Sequence, residues 1–170
     1  MFSIQKVSSA DIEILMDIAG KTFRDAFYDL CDPIVYDAYA FKAFAYETLL
    51  CEFNNPDSQF YFAITNNEPS GYLKLNFNTA QTELREPEGM EIERLYILKN
   101  HQNKRIGSRL IDFAVTTAIE KQMKYVWLGV WEKNLDAMRL YERNGFKIFG
   151  RHTFHFGDDQ EEDWLMKREL

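Results

Sequence analysis

Glu91-Ile92-Glu93-Arg94-Leu95-Tyr96-Ile97-Leu98 is followed, three residues later, by Gln102-Asn103-Lys104-Arg105-Ile106-Gly107-Ser108-Arg109-Leu110. The first run reads as a strand. From Ile106 to Gln122 the residues Ile106, Leu110, Phe113, Ala114, Thr117 and Ala118 recur on one helical face, so the second run turns a strand into a helix. A helix start exposes unpaired amide N–H groups and the positive end of the helix dipole, and both suit an anion. Gly107 would let that backbone approach a ligand closely. Between Lys99 and Ile111 there are four cations (Lys99, Lys104, Arg105 and Arg109) and no carboxylate, although the whole chain has a formal net charge of −7. The turn therefore reads either as a phosphate-binding element or as a solvated cationic face beside a small packing residue. It is not a P-loop, because Gly-Lys-Ser/Thr is missing, and it lacks the glycines of the dinucleotide fingerprint.

Downstream, Lys124 to Trp131 reads as another strand, and a helix from about Asn134 to Arg143 stops at Asn144-Gly145. Asn134, Ala137, Met138 and Tyr141 fall at i, i+3, i+4 and i+7, which puts Asn134 and Tyr141 on one face two turns apart. Taken singly, Asn134 reads more simply as an N-cap and Tyr141 as a core aromatic. Lys147 to Phe156 and Asp163 to Lys167 are expected as a last strand pair around an acidic loop. Upstream, Phe2 to Val7 is β-leaning, and Ser8 stands three residues before Asp11 as a capping pair. Ile12, Leu15, Met16, Ala19 and Phe23 then give one apolar helical face. Asp32-Pro33 opens one or two aromatic-rich helices that run to Phe53. Gln59 to Thr65 and Gly71 to Phe77 are expected as a hairpin closed by the five-residue turn Asn66 to Ser70. The polar stretch from Thr79 to Gly89 reads as a loop. The order β-α-α-β-β-β-α-β-α-β-β predicts an α/β domain with a mixed sheet.

The 170 residues fit one domain, and 46% hydrophobic with 15% aromatic residues supplies a full core. No apolar run approaches the roughly 20 residues of a membrane helix. No secretory signal is visible at Met1 to Val7. The acidic balance argues against a nucleic-acid partner. Cys31 and Cys51 are too few for a disulfide framework and fit a reducing compartment, so a cytoplasmic protein is expected. His101, His152 and His155 have no metal-ligand spacing, and no metal is assigned.

The strand Glu91 to Ile97, the Gln102-x-x-x-x-Gly107 turn and the helix Asn134-x-x-Ala137-x-x-Leu140-Tyr141-x-x-x-Gly145-Phe146 occur in an order and spacing that resembles the GCN5-related N-acetyltransferase (GNAT) superfamily. The resemblance covers nearly the whole chain. It implies residues 1–170 as a single N-acetyltransferase domain, with a mixed, mostly antiparallel sheet of about seven strands and about four helices, split between strands 4 and 5. The family's first motif is written Q/R-x-x-G-x-G/A; Gln102 and Gly107 match, and Arg105 replaces the inner glycine. Asn55-Pro56-Asp57-Ser58, Gly71-Tyr72-Leu73-Lys74-Leu75, Leu128 to Asn134 and Gly157-Asp158-Asp159 are similar to a bacterial subgroup that includes PaiA-type polyamine N-acetyltransferases.

The resemblance implies acetyl-CoA as co-substrate and direct attack of an amine on the thioester in a ternary complex. It places pantetheine on the backbone of Leu95, Tyr96 and Ile97, one amide acting as an oxyanion donor, and pyrophosphate on the amides of Gln102, Asn103, Lys104, Arg105, Ile106, Gly107 and Ser108. Asn134 is implied to hydrogen-bond the pantetheine arm, and Tyr141 to sit near sulfur and protonate the leaving thiolate. An alkylamine of pKa about 10.4 is neutral only about 0.04% of the time at pH 7, a cost of roughly 4.6 kcal/mol, so a base is expected. Glu91 and Glu93 share one face of their strand, and Glu93 is the candidate base through water, or else an ordinary surface glutamate. Some family members carry a basic glutamate on the fifth strand, where Gly129 stands here. Tyr28, Tyr36 and Tyr39 are candidates for lining the acceptor pocket, with core packing as the alternative. Asp158, Asp159, Glu161, Glu162 and Asp163 put five carboxylates in six positions. They read either as a solvated loop or as an attractor of a polycation, with Asp158 and Asp159 assigned to substrate.

The expected activity is acetyl transfer to a primary amine of a small molecule, the subgroup implying a polyamine. A protein N-terminus or lysine as acceptor, favoured by a groove free of acidic residues, and a non-catalytic acyl-CoA-binding sensor are the alternatives. Many proteins of this fold dimerise, so a homodimer stays open.

Overall fold

The structure is a computed structural model that describes residues 1–30, 32–156 and 159–170. Its elements are β1 (Phe2–Lys6), α1 (Ile12–Phe27), α2 (Pro33–Ala43), α3 (Tyr46–Asn54), β2 (Ser58–Thr65), β3 (Glu68–Asn76), β4 (Gly89–Ile97), α4 (Ile106–Glu120), β5 (Tyr125–Trp131), α5 (Leu135–Arg143), β6 (Lys147–Phe156) and β7 (Asp159–Glu169). The strands form one mixed sheet in the order β1-β2-β3-β4-β5-β7-β6. The pairs β1/β2, β5/β7 and β6/β7 are antiparallel, and β4/β5 is parallel. The parallel ladder is short: Gly89, Met90 and Glu91 face Tyr125, Val126 and Trp127, while β4 runs on to Ile97 and β5 to Trp131. That is the expected α/β fold with its split between the fourth and fifth strands, with five α-helices among the described residues where about four were expected. None of the described helices is long and apolar enough to cross a membrane.

The chain packs as two compact units, Met1–Lys74 with Arg94–Leu110 and Leu75–Glu93 with Ile111–Leu170. In the first, α1 buries Ile12, Leu15, Ile18, Ala19, Thr22 and Phe23, the face its apolar spacing predicts. Its entry is fixed by Asp11, whose carboxylate accepts from Ser8 N–H at 2.9 Å and Ser8 Oγ at 2.6 Å and is thereby held below the usual carboxylate range. Asp32 caps α2, its Oδ1 accepting from the amides of Ile34 and Val35, with Pro33 in the first turn, where a missing N–H costs nothing. Leu15, Leu49, Phe60 and Tyr72 lie at the centre of this unit's core. The hairpin turn is shorter than expected: β2 ends at Thr65 and β3 begins at Glu68, leaving Asn66 and Asn67 at φ 53° and 68°. Asparagine tolerates the left-handed region that a two-residue turn between twisted strands requires.

In the second unit β5 is flanked by β4 and β7, and Trp127, Leu128 and Met166 are fully or almost fully buried. The 78–88 segment is tied to the sheet. Trp127 Nε1 donates to Gln81 Oε1 at 2.6 Å, Tyr125 Oη donates to the Glu86 carboxylate, and Gln81 Nε2 donates to Glu86 O at 2.8 Å. The helix α5 stops where its sequence predicts, with Gly145 at φ 87° and the Gly145 amide bonded to Glu142 O. The acidic run departs from expectation. Strand β7 already begins at Asp159, paired with Phe156, so the expected strand from Asp163 extends back through Glu161 and Glu162, which are strand residues and not a loop.

Candidate active site

In the first unit, Leu95, Tyr96 and Ile97 form the end of β4, half-buried. The Tyr96 ring stacks on Tyr72 at 5.8 Å and meets Phe23 and Phe27 edge-on, so aromatic packing fixes this backbone from one side. Gly71 makes the fit possible: a Cβ there would lie 2.5 Å from Tyr96 O and 2.6 Å from Ile97 Cδ1. The chain leaves β4 with Leu98 N–H donating to Ser70 O and Gln102 Nε2 donating to Ile97 O. Asn103 and Arg105 both adopt left-handed backbone, φ 60° and 62°. Arg105 is thus in the conformation for which glycine is the ordinary choice, at a cost of about 1 kcal/mol. Helix α4 begins at Ile106 and closes its first turn with Arg109 N–H on Arg105 O. Lys104 Nζ donates to Asn100 O, and the Arg109 guanidinium lies over the Phe2 ring at 4.7 Å.

The tyrosines predicted to line an acceptor pocket also lie in this unit. Tyr36 is buried, stacked on Phe23 at 5.4 Å and edge-on to Tyr28. Tyr39 is 47% exposed, and the Arg24 guanidinium sits 4.0 Å over the Tyr28 ring. Tyr36 therefore has a core role, whereas Tyr28 and Tyr39 present surface.

In the second unit, Asn134 caps α5, its Oδ1 accepting from Ala137 N–H at 3.2 Å. Tyr141 is 8% exposed and packs edge-on against Phe146 at 5.9 Å. Burial pushes its phenol up to about 12, so it is protonated throughout the neutral range.

Glu91 and Glu93 are joined through Asn76, whose Nδ2 donates to both, at 3.1 and 2.5 Å. Glu91 is 2% exposed and also accepts from Thr82 N–H at 2.9 Å and Thr82 Oγ1 at 2.5 Å. Burial raises its pKa, the bonds from Thr82 and Asn76 pull it back, and Glu93 adds a repulsion. Sequence reasoning named both glutamates but missed Asn76 and Thr82, because neither lies in a motif.

The acidic run is held unevenly. Glu161 accepts from Lys133 Nζ and Trp131 Nε1, both at 2.8 Å, and is held below the usual range by these bonds. Glu162 faces Arg151 at 3.5 Å. Asp163 lies beside the contact of His152 Nδ1 with Glu83 Oε1, 2.9 Å apart. Asp158 lies outside the described residues. Asp159 is described only as the first residue of β7.

The acetyltransferase (GNAT) family model matches residues 14–146. An uncharacterised N-acetyltransferase from the pepI 3′ region of Lactobacillus delbrueckii subsp. lactis is 36% identical over 167 residues, 98% of this chain and 96% of its own. The spermidine N(1)-acetyltransferase of Thermoplasma acidophilum is 24% identical over 149 residues, 85% and 88% of the two chains. A solved structure, the PaiA N-acetyltransferase from Thermoplasma acidophilum in complex with coenzyme A, superposes with a TM-score of 0.82 at 22% identity over 100% of this chain and 99% of that one. At that identity the likeness establishes the fold.

Proposed function

This chain belongs to the acetyltransferase (GNAT) family and is an N-acetyltransferase, and from that premise we propose that it transfers the acetyl group of acetyl-CoA to a primary amine of a small molecule, with a polyamine as acceptor. We take the whole chain as one catalytic domain working in the cytoplasm; a relative that matches 98% of this chain supports the former, and the free thiol of exposed Cys51 is in keeping with the latter.

Acetyl-CoA supplies an activated thioester. The chain's own groups fit such a ligand: a helix start with left-handed Arg105 immediately before it, four cations and no carboxylate between Lys99 and Ile111, suits a pyrophosphate. In this reading the amides of Gln102 to Ser108 bind the phosphates, and the backbone of Leu95, Tyr96 and Ile97 holds the pantetheine and polarises the carbonyl. A single such donor contributes about 2.7–4 kcal/mol to an oxyanion. Asn134 steadies the arm while capping α5. Tyr141 gives its proton to the departing sulfur, and Glu93, gripped by Asn76, takes a proton from the amine side through water.

The observation that carries the reading is Tyr141, a buried phenol held in its acid form at the position the family motif assigns to the proton donor. The polyamine acceptor is supported by the similarity to a spermidine N(1)-acetyltransferase and by the carboxylates on one face of the second unit. The test is thiol release from acetyl-CoA with spermidine, spermine, putrescine, lysine, an aminoglycoside and a basic peptide. Saturable release with a polyamine, falling about 100-fold in Tyr141→Phe with coenzyme A affinity unchanged, is expected. Release with the peptide alone would transfer the function to a protein acceptor. Tight acetyl-CoA binding without release for any amine would leave the sensor.

A further inference from the structure

The register of β5 sets Trp127 opposite Glu91 of β4, Gly129 opposite Leu165 of β7, and Trp131 opposite Asp163. Strand alternation therefore puts Glu91, Glu93, Gly129 and Asp163 on one face of the sheet. Two residues on from the Glu91/Trp127 pair, Glu93 and Gly129 keep to this same face past the end of the ladder. Gly129 is exposed and leaves a notch in this face: a Cβ placed there would lie 3.5 Å from Asp163 Oδ2 and 3.9 Å from Leu165 Cδ2, ordinary contact distances. Asp163 of β7 thus borders a position with no side chain of its own, on the sheet face that also carries Glu93.

Asp163 differs from its neighbours in the acidic run. Glu161 is neutralised by Lys133, Glu162 faces Arg151, and the adjacent Glu83 and His152 are paired with each other. Among the described residues the Asp163 carboxylate has no hydrogen bond and no ion pair. It is half-buried and unspent.

Acetylation of an alkylammonium removes two protons from nitrogen, one of which is balanced by protonation of sulfur. Resting on the acetyltransferase reading above, we propose that Asp163 is a second catalytic carboxylate, accepting the proton that leaves nitrogen as the C–N bond forms over the Gly129 notch. Glu93 takes the first proton from the ammonium through water, the nitrogen lone pair attacks the carbonyl carbon, the second N–H proton passes to Asp163, the C–S bond breaks, and Tyr141 protonates sulfur and regains its proton from solvent. The products are the N-acetyl amine and the free thiol, and Asp163 releases its proton to solvent. The charged groups around Asp163 are Glu83 from the 78–88 segment, His152 from β6 and Glu161 two residues back on β7. Burial pushes Asp163 up to about 6, opposed by His152 and reinforced by Glu83. A carboxyl in that range is ionised at neutral pH and basic enough for an acylated ammonium, which is far more acidic than the free one.

The experiment measures kcat for thiol release with saturating acetyl-CoA and spermidine from pH 5 to 9, in the wild type, Asp163→Asn, Tyr141→Phe and the double variant Asp163→Asn/Gly129→Asp. Coenzyme A affinity and far-UV dichroism are recorded for each. The wild-type kcat should rise with a midpoint near 6. Asp163→Asn should lose about 100- to 1,000-fold in kcat together with that midpoint, at unchanged coenzyme A affinity. A carboxylate returned from β5 in the double variant should recover at least tenfold. Asp163→Asn within threefold of the wild type and with the same midpoint, while Tyr141→Phe is impaired, overturns the inference and leaves the acetyltransferase reading intact. No release by the wild type with any amine of the panel overturns both.

Discussion

Asp163→Asn should make the protein more stable at neutral pH, whatever it does to turnover. The carboxyl moves from an ordinary 3.8 to about 6 on folding because burial disfavours its charged form. Each tenfold change in proton affinity is worth about 1.4 kcal/mol, which sets a ceiling near 3 kcal/mol; partial access to water reduces this to about 1–2 kcal/mol. The sign follows from linkage. A group whose folded-state pKa is raised stabilises the fold fully below its unfolded pKa and loses that contribution as pH rises through the folded value. The wild type therefore bears the cost of an ionised Asp163 above pH 7, and an uncharged Asn does not. Urea unfolding of both proteins from pH 4 to 8, analysed by midpoint at constant slope, should show a gap near zero at pH 4 that opens by pH 6 and stays level beyond pH 7. A variant less stable at pH 8, or a gap that does not change with pH, would refute the argument. A residue that costs stability where it stands is what a functional carboxylate looks like energetically.

Two other perturbations test the first unit. Gly71→Ala drives a methyl to 2.5 Å from the Tyr96 carbonyl oxygen, so it should cost about 1–3 kcal/mol in urea unfolding and weaken coenzyme A binding by calorimetry, since Tyr96 belongs to the proposed pantetheine strand. Unchanged stability would mean that β3 and β4 yield freely there. Glu52→Gln removes the carboxylate shared by Lys74, at 3.0 Å, and Arg94, at 2.9 Å through two parallel bonds. Lys74 and Arg94 side chains are only 5% and 12% exposed, so the loss should be about 2–4 kcal/mol, less than for a sealed pair because Glu52 is 24% open. A loss below 0.5 kcal/mol, on the order of an exposed pair, would show that this triad is no anchor.

Much of the fold and part of the candidate site were legible in the order of residues. The apolar spacing of α1, the Asp32-Pro33 entry to α2, the Asn134 cap of α5 and its Asn144-Gly145 exit are each set by backbone chemistry within a few residues, and each stands where its pattern placed it. Other features depend on partners far along the chain. The acidic run reads as a loop because Asp and Glu favour strands poorly. Pairing with β6 makes it a strand, and Lys133 and Arg151 then neutralise two of its carboxylates. Tyr36, one of three equivalent tyrosines in the sequence, enters the core between Phe23 of another helix and Tyr28, whereas Tyr39, also stacked on Phe23, stays 47% exposed. Arg105 replaces a motif glycine, yet its backbone keeps the glycine-like left-handed turn. By itself the sequence determined the family, the helix and strand order, and Tyr141 as the proton donor to test. The tertiary structure alone decided that Asn76 grips Glu91 and Glu93 together and that Asp163 stands uncommitted beside Gly129. Strand register brings those groups side by side, and register is fixed by long-range pairing and burial rather than by any local run of residues.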